Sequence, residues 1–200
     1  NVAGTVAIQG SEISANAAGC DGGGIASTGG TLMLEASAIH DNTAGCSGGA
    51  IFVRDGGATL VDSQLVANVA STGGGGGIML FGSAISLIVR TTIAGNTAVL
   101  DGGGLLAHGG ATRTTIFDSV VTNNRCEPLP ATAVGGNGGG IANGRTNNQG
   151  GVSALVAGGI MTDRNAYAQD AAQTSFNVPA GPLNRALTAF GRQAGLQVTY

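Results

Sequence analysis

One pattern recurs five times along this chain: an apolar residue, two others, then asparagine, with a strand-like stretch before it and glycines and an aliphatic residue after it. The asparagines are Asn16, Asn42, Asn68, Asn96 and Asn124, spaced 26, 26, 28 and 28 residues apart. Ile13, Ile39, Leu65, Ile93 and Val121 stand three positions before them, and Ile8, Leu34, Leu60, Ile88 and Ile116 stand eight before. Glycine–aliphatic steps follow at Gly24–Ile25, Gly49–Ala50–Ile51, Gly77–Ile78, Gly104–Leu105 and Gly140–Ile141. A unit this short cannot bury its own apolar face, so a fixed period of this length implies a stacked array.

The period inside each unit is that of a strand. Val6-x-Ile8, Leu32-x-Leu34 and Ile85-x-Leu87 alternate as inward candidates, and short stretches such as Thr31 to Leu34, Ser37 to Ile39 and Ile51 to Val53 are separated by turn formers. Glycines interrupt every candidate helical stripe. The spacing predicts a mainly β chain, a parallel β-helix of about five to six coils with three short strands per turn. Coils stacked at ~4.8 Å would set each Asn over the next, where amides can hydrogen-bond along the axis. Glycines at another corner would supply positive φ.

Composition narrows the function. Of 200 residues, 38 are Gly, 10% are charged and 4% aromatic, with net charge −3 and no Lys. Without Lys there is no P-loop lysine or Schiff-base lysine, and no basic stripe for nucleic acid. No apolar run approaches the ~20 residues that span a bilayer as a helix. The chain starts at Asn1 inside a repeat and reads as a piece of a longer protein.

The Gly48–Gly49–Ala50–Ile51 step, echoed at Gly23–Gly24–Ile25 and Gly103–Gly104–Leu105, together with the x-x-Asn corner, resembles the repeats of polymorphic outer-membrane proteins and related autotransporter passengers over residues 1–150. Those families often carry Phe three residues before the Asn, where this chain has Ile, Leu or Val. The resemblance implies a right-handed, pectin-lyase-like β-helix that is secreted or surface-displayed and serves adhesion or scaffolding, with a host or extracellular-matrix surface or glycan as partner.

Cys20 and Cys46 both lie four residues after a ladder Asn, so stacked coils make them neighbours: a disulfide or two small buried thiols. Cys126 has no partner in view. His40 and His108 occupy different positions of the unit, no Cys or His pair has metal-ligand spacing, and both histidines read as exposed polar residues. Asp21 and Asp101 share an Asp-Gly-Gly-Gly context on non-adjacent coils and read as corner residues. Many polysaccharide-cleaving enzymes use this fold. Glycoside hydrolysis would need two carboxylates on one face; Asp62 and Asp118 lie two coils, or ~10 Å, apart, with Arg90 on the coil between. Scattered surface charge is the simpler account of the three, and few exposed aromatics are available to stack on sugars. Catalytic, metal and cofactor residues are therefore expected to be none.

After Asn124 the period lengthens. Cys126 to Pro130 and an Ala/Gly stretch read as an external loop, Val152 to Ile160 as a degraded coil, and Ala166-Tyr167-Ala168 as an unused Ala-x-Ala site or a small-residue linker within 151–173. From residue 174 the texture is β-α-β. Phe176 and Val178 alternate, Pro182 suits a helix start, Leu183, Ala186, Leu187 and Phe190 share one helical face, Gly195 suits its stop, and Leu196, Val198 and Tyr200 alternate. Residues 174–200 resemble the first half of the secretin and TonB short N-terminal (STN) domain. That resemblance implies a periplasmic module passing signals to a regulator protein, with Phe176, Val178, Leu183, Leu187, Phe190 and Val198 as core.

Three functions follow as expectations: a non-enzymatic cell-envelope β-helix for adhesion or scaffolding, first; a TonB-dependent receptor or secretin-type transport and signalling protein of the outer membrane; and a polysaccharide-cleaving β-helix enzyme.

Overall fold

The computed structural model describes residues 4–109, 112–127, 138–143, 154–158 and 167–169. They belong to the first of two compact units, Asn1–Asp170; the second, Ala171–Tyr200, lies outside the described residues, and with it the STN-like core positions Phe176 to Val198.

The chain winds as a parallel solenoid. Coil 1 carries β1 (Thr5–Gln9), β2 (Glu12–Ser14), β3 (Ala17–Ala18) and β4 (Ile25–Thr28). Coil 2 carries β5 (Thr31–Glu35), β6 (Ala38–His40), β7 (Thr43–Ala44) and β8 (Ile51–Arg54), and coil 3 carries β9 (Gly57–Val61), β10 (Gln64–Val66), β11 (Val69–Ala70) and β12 (Ile78–Phe81). Coil 4 follows with β13 (Ile85–Val89), β14 (Thr92–Ala94), β15 (Thr97–Ala98) and β16 (Leu105–His108). Coil 5 has β17 (Arg113–Phe117), β18 (Val120–Thr122), β19 (Arg125–Cys126) and β20 (Ile141–Asn143). β21 (Ala154–Gly158) then pairs with β17, and β22 (Tyr167–Gln169) with β20. The coil therefore continues through part of the stretch read as degraded coil or linker.

Each turn has four strands, not three. The additional strand is the two-residue segment after each Asn, such as Thr43–Ala44, too short to produce any apolar period. Equivalent strands stack in register into four sheets headed by β1, β2, β3 and β4.

The interior is a set of columns running along the axis. Leu34, Leu60, Ile88 and Ile116 form one; Ile39, Leu65, Ile93 and Val121 a second; Ile51, Ile78, Leu105 and Ile141 a third. All are buried in one continuous core. The inward reading of Ile85 and Leu87 is corrected by this stacking. Ser86 and Ile88 lie over Ala58 and Leu60, so their odd-numbered neighbours face outward, because strand side chains alternate. Phe52, Met79, Leu106 and Ala142 form a second buried cluster on the opposite face of their strands.

The corners explain the repeat. The residue before each ladder Asn, including Ala15, Asp41, Ala67 and Asn123, has φ of 55°, 55°, 55° and 54°, a left-handed turn that swings the Asn side chain beneath the backbone. There Asn42 donates from its backbone N–H and from Nδ2 to Asn68 Oδ1, each at 3.0 Å, and Nδ2 also reaches Ile13 O and His40 O at 2.9 Å. The same two donations run from Asn16 to Asn42, Asn68 to Asn96 and Asn96 to Asn124. Buried amides and corner carbonyls are thereby satisfied together.

A second polar column was passed over in the sequence. Ser11, Ser37, Ser63, Thr91 and Ser119 stand five before each Asn. In each the hydroxyl donates to the carbonyl two residues back and, after Ser11, accepts the backbone N–H of the preceding coil's member. The glycine corner has a steric cause: Gly48 has φ of 69°, and a Cβ on Gly49 would run into Gly76 O and the Val69 backbone.

Candidate functional site

Paired sheets and filled columns leave chemically capable side chains to the corners and outer faces. The first grouping is the Asp62–Arg90–Asp118 column. Each residue directly follows a strand of the first sheet in left-handed conformation, with φ of 50°, 45° and 47°, so the three project from one corner on successive coils. The structure thus gathers charges that the sequence reading took as scattered. Arg90 Nε and Nη2 donate to Asp62 Oδ1 and Oδ2 at 2.6 and 2.7 Å, a bidentate pair. The guanidinium hydrogen bonds hold the Asp62 carboxyl below its ordinary 3.8, and Asp62, with a smaller share from Asp118, raises Arg90. A general acid needs the opposite shift, upward toward neutrality.

The second grouping surrounds His40. Its Nδ1 lies 2.7 Å from Asp41 Oδ2 and its Nε2 3.0 Å from Glu12 Oε1, which also accepts the Ser14 hydroxyl at 3.2 Å. The Asp41 hydrogen bond, seconded by Glu12, raises the imidazole above 6.5. The carboxylates occupy opposite ring nitrogens, so they bridge coils 1 and 2 through the ring and do not converge on one metal position.

His108 is not an isolated polar residue either. It stacks on Phe81 with centroids 5.6 Å apart and 18° between planes, while Arg54 sits 5.4 Å over Phe81 and 5.2 Å over Phe52. Arg54, Phe81 and His108 are register partners on β8, β12 and β16. Both faces of Phe81 are therefore occupied by its own column, and that ring offers none to a sugar. No sequence rule announces this stack, because its members differ in type and only the register joins them. Nearby, Asp55 Oδ1 accepts the Ser83 backbone N–H and hydroxyl at 2.9 and 3.0 Å, which lowers its carboxyl.

Cys20 and Cys46 are joined as a disulfide with Cα atoms 4.4 Å apart. Asp21 stands beside them, its Oδ1 accepting the Ser47 N–H at 3.1 Å. The ligand atoms of Cys20, Asp21 and Cys46 lie within 4.8 Å of one another, a convergence that the sequence reading did not find. Metal-ligating cysteines are thiolates, so in the oxidised state this trio is a covalent tie between coils. Asp101 marks the equivalent corner of coil 4, where its carbonyl accepts the Gly75 N–H at 2.9 Å. Cys126 replaces the alanine of the column Ala70, Ala98. Burial pushes its thiol up to about 11, which leaves little thiolate near neutral pH.

No significant match was found among curated proteins or solved structures. The family described as "Right handed beta helix region" matches residues 1–153, more than half of the chain and the span of the stacked columns, so the chain belongs to that family.

Proposed function

We propose that this chain is a non-catalytic β-helix of the cell envelope, displayed on the surface for adhesion or scaffolding and joined at residues 174–200 to the opening of an STN-like periplasmic module. The observation that carries this reading is the Asp62–Arg90–Asp118 column. It is the corner where the sequence allowed a two-carboxylate hydrolase, yet Asp62 is ion-paired through both oxygens and shifted away from proton donation. What the coils offer a partner is surface: exposed side chains repeated at fixed spacing on flat sheets, suited to a host or extracellular-matrix protein or glycan. A polysaccharide-cleaving enzyme is the second reading, favoured only by the convergence of the same three side chains. The receptor or secretin reading rests on residues 174–200 alone.

The test has two arms on the full chain. Immobilised matrix proteins and glycans are expected to retain it. Incubation with uronic-acid and neutral polysaccharides is expected to release neither unsaturated products nor new reducing ends. Turnover that disappears in Arg90→Ala or Asp62→Asn would establish the enzyme instead.

A further inference from the structure

The outer face of the first sheet carries a pattern that the adhesion reading does not use. Ile85 is 65% exposed, Met33 47%, Phe117 46% and Leu87 41%, all at outward positions of β5, β13 and β17. Two ionic side chains stand at diagonal corners of this apolar area. Glu35 ends β5 on coil 2, and Arg113 begins β17 on coil 5. Three coil steps of ~4.8 Å and four residue steps of ~3.3 Å place them ~14 Å apart along the axis and ~13 Å across it.

We propose that this face docks a second copy of the chain, about a two-fold axis lying in the contact plane perpendicular to the Glu35–Arg113 diagonal. The rotation exchanges the two corners, so Glu35 of each copy meets the partner subunit's Arg113. The same operation carries Ile85 onto the partner's Met33, sets Phe117 beside its own equivalent, and brings Leu87 to the middle. All these correspondences come from one operator, as an isologous interface requires. The strands of the two copies cross near right angles, which is one of the two standard ways that sheets pack face to face. Any acid–base pair is exchanged by some two-fold axis; what favours a second copy is that this same axis also pairs Ile85 with the partner's Met33 and Phe117 with its own equivalent.

Size sets the strength. Four strands of five residues, β5, β9, β13 and β17, cover about 320 Å² in projection, well under half of the ~800 Å² per partner typical of a stable complex. The dimer is accordingly weak and concentration-dependent. It depends on the exposure of this face and not on where the protein is displayed, so it stands or falls separately from the adhesion reading.

Sedimentation velocity of the full chain between about 10 µM and 1 mM decides it. The expected result is a weight-average mass that climbs from one copy toward two and falls back in high salt. Arg113→Glu sets acid against acid and should weaken association about tenfold or more, and adding Glu35→Arg should restore it. Ile85→Ser should leave a single copy at every concentration. A parent chain that stays a single copy throughout, an Arg113→Glu chain that associates as tightly as the parent, or a double exchange without recovery each overturns the proposal.

Discussion

Asn68 and Thr114 are both buried polar residues, and the structure treats them oppositely. Asn68 accepts at Oδ1 from the backbone N–H and Nδ2 of Asn42, and donates to Asn96 Oδ1, Ile39 O and Val66 O. Asn68→Ala would orphan the Asn42 N–H and amide and the Ile39 and Val66 carbonyls on coils 2 and 3, at ~1–3 kcal/mol each, so a loss of about 3 kcal/mol or more is expected. Urea denaturation should show it as a lower midpoint. Thr114 is the converse: its hydroxyl and that of Ser86, stacked in register, are buried and have no hydrogen-bond partner. Thr114→Val keeps the shape and removes the orphan, and should stabilise the fold by about 1 kcal/mol in the same assay. An equally large destabilisation would mean that a buried water serves these hydroxyls.

At the scale of the strand, His40 links β6 to β2 through Glu12. Its folded pKa is raised, so its contribution is complete below the unfolded value of about 6.5 and disappears as pH rises through the folded value. The thermal-midpoint gap between the parent and His40→Gln should therefore be widest near pH 5 and close above neutrality. Asp62 has the opposite sign. Its folded value is lowered, so the Arg90 tie contributes above about 3.8 and is lost as pH falls through the folded value; Asp62→Asn should differ from the parent near neutrality and converge with it in strong acid. Strand-scale features were legible in the sequence only where every coil repeats the same residue type. The Asn column met that condition, as did the Ser/Thr column five residues before it. Ile85 and Leu87 did not: two aliphatics flanking a serine imitate an inward pair, and only the stacking of Ile88 on Leu60 fixes the true face. The His40 bridge and the Arg54–Phe81–His108 stack depend on contacts between unlike residues about one coil apart, which no single-strand period encodes.

The solenoid is a chain of nearest neighbours, because each described strand pairs with its equivalents one coil away. Stability in such an array is a sum of coil and interface contributions, and opening can begin at an end. The Cys20–Cys46 disulfide ties coil 1 to coil 2 and closes a 26-residue separation. Loop-closure entropy for that length amounts to about 3.5 kcal/mol. Hydrogen exchange read coil by coil, with and without a dithiol, measures this tie. A dithiol reductant should accelerate coil 1 by up to the few-hundredfold equivalent of about 3.5 kcal/mol while leaving β13 and β14 nearly unchanged. Uniform acceleration across all coils would mean that the array opens as one cooperative unit, and would replace the nearest-neighbour account with a two-state one.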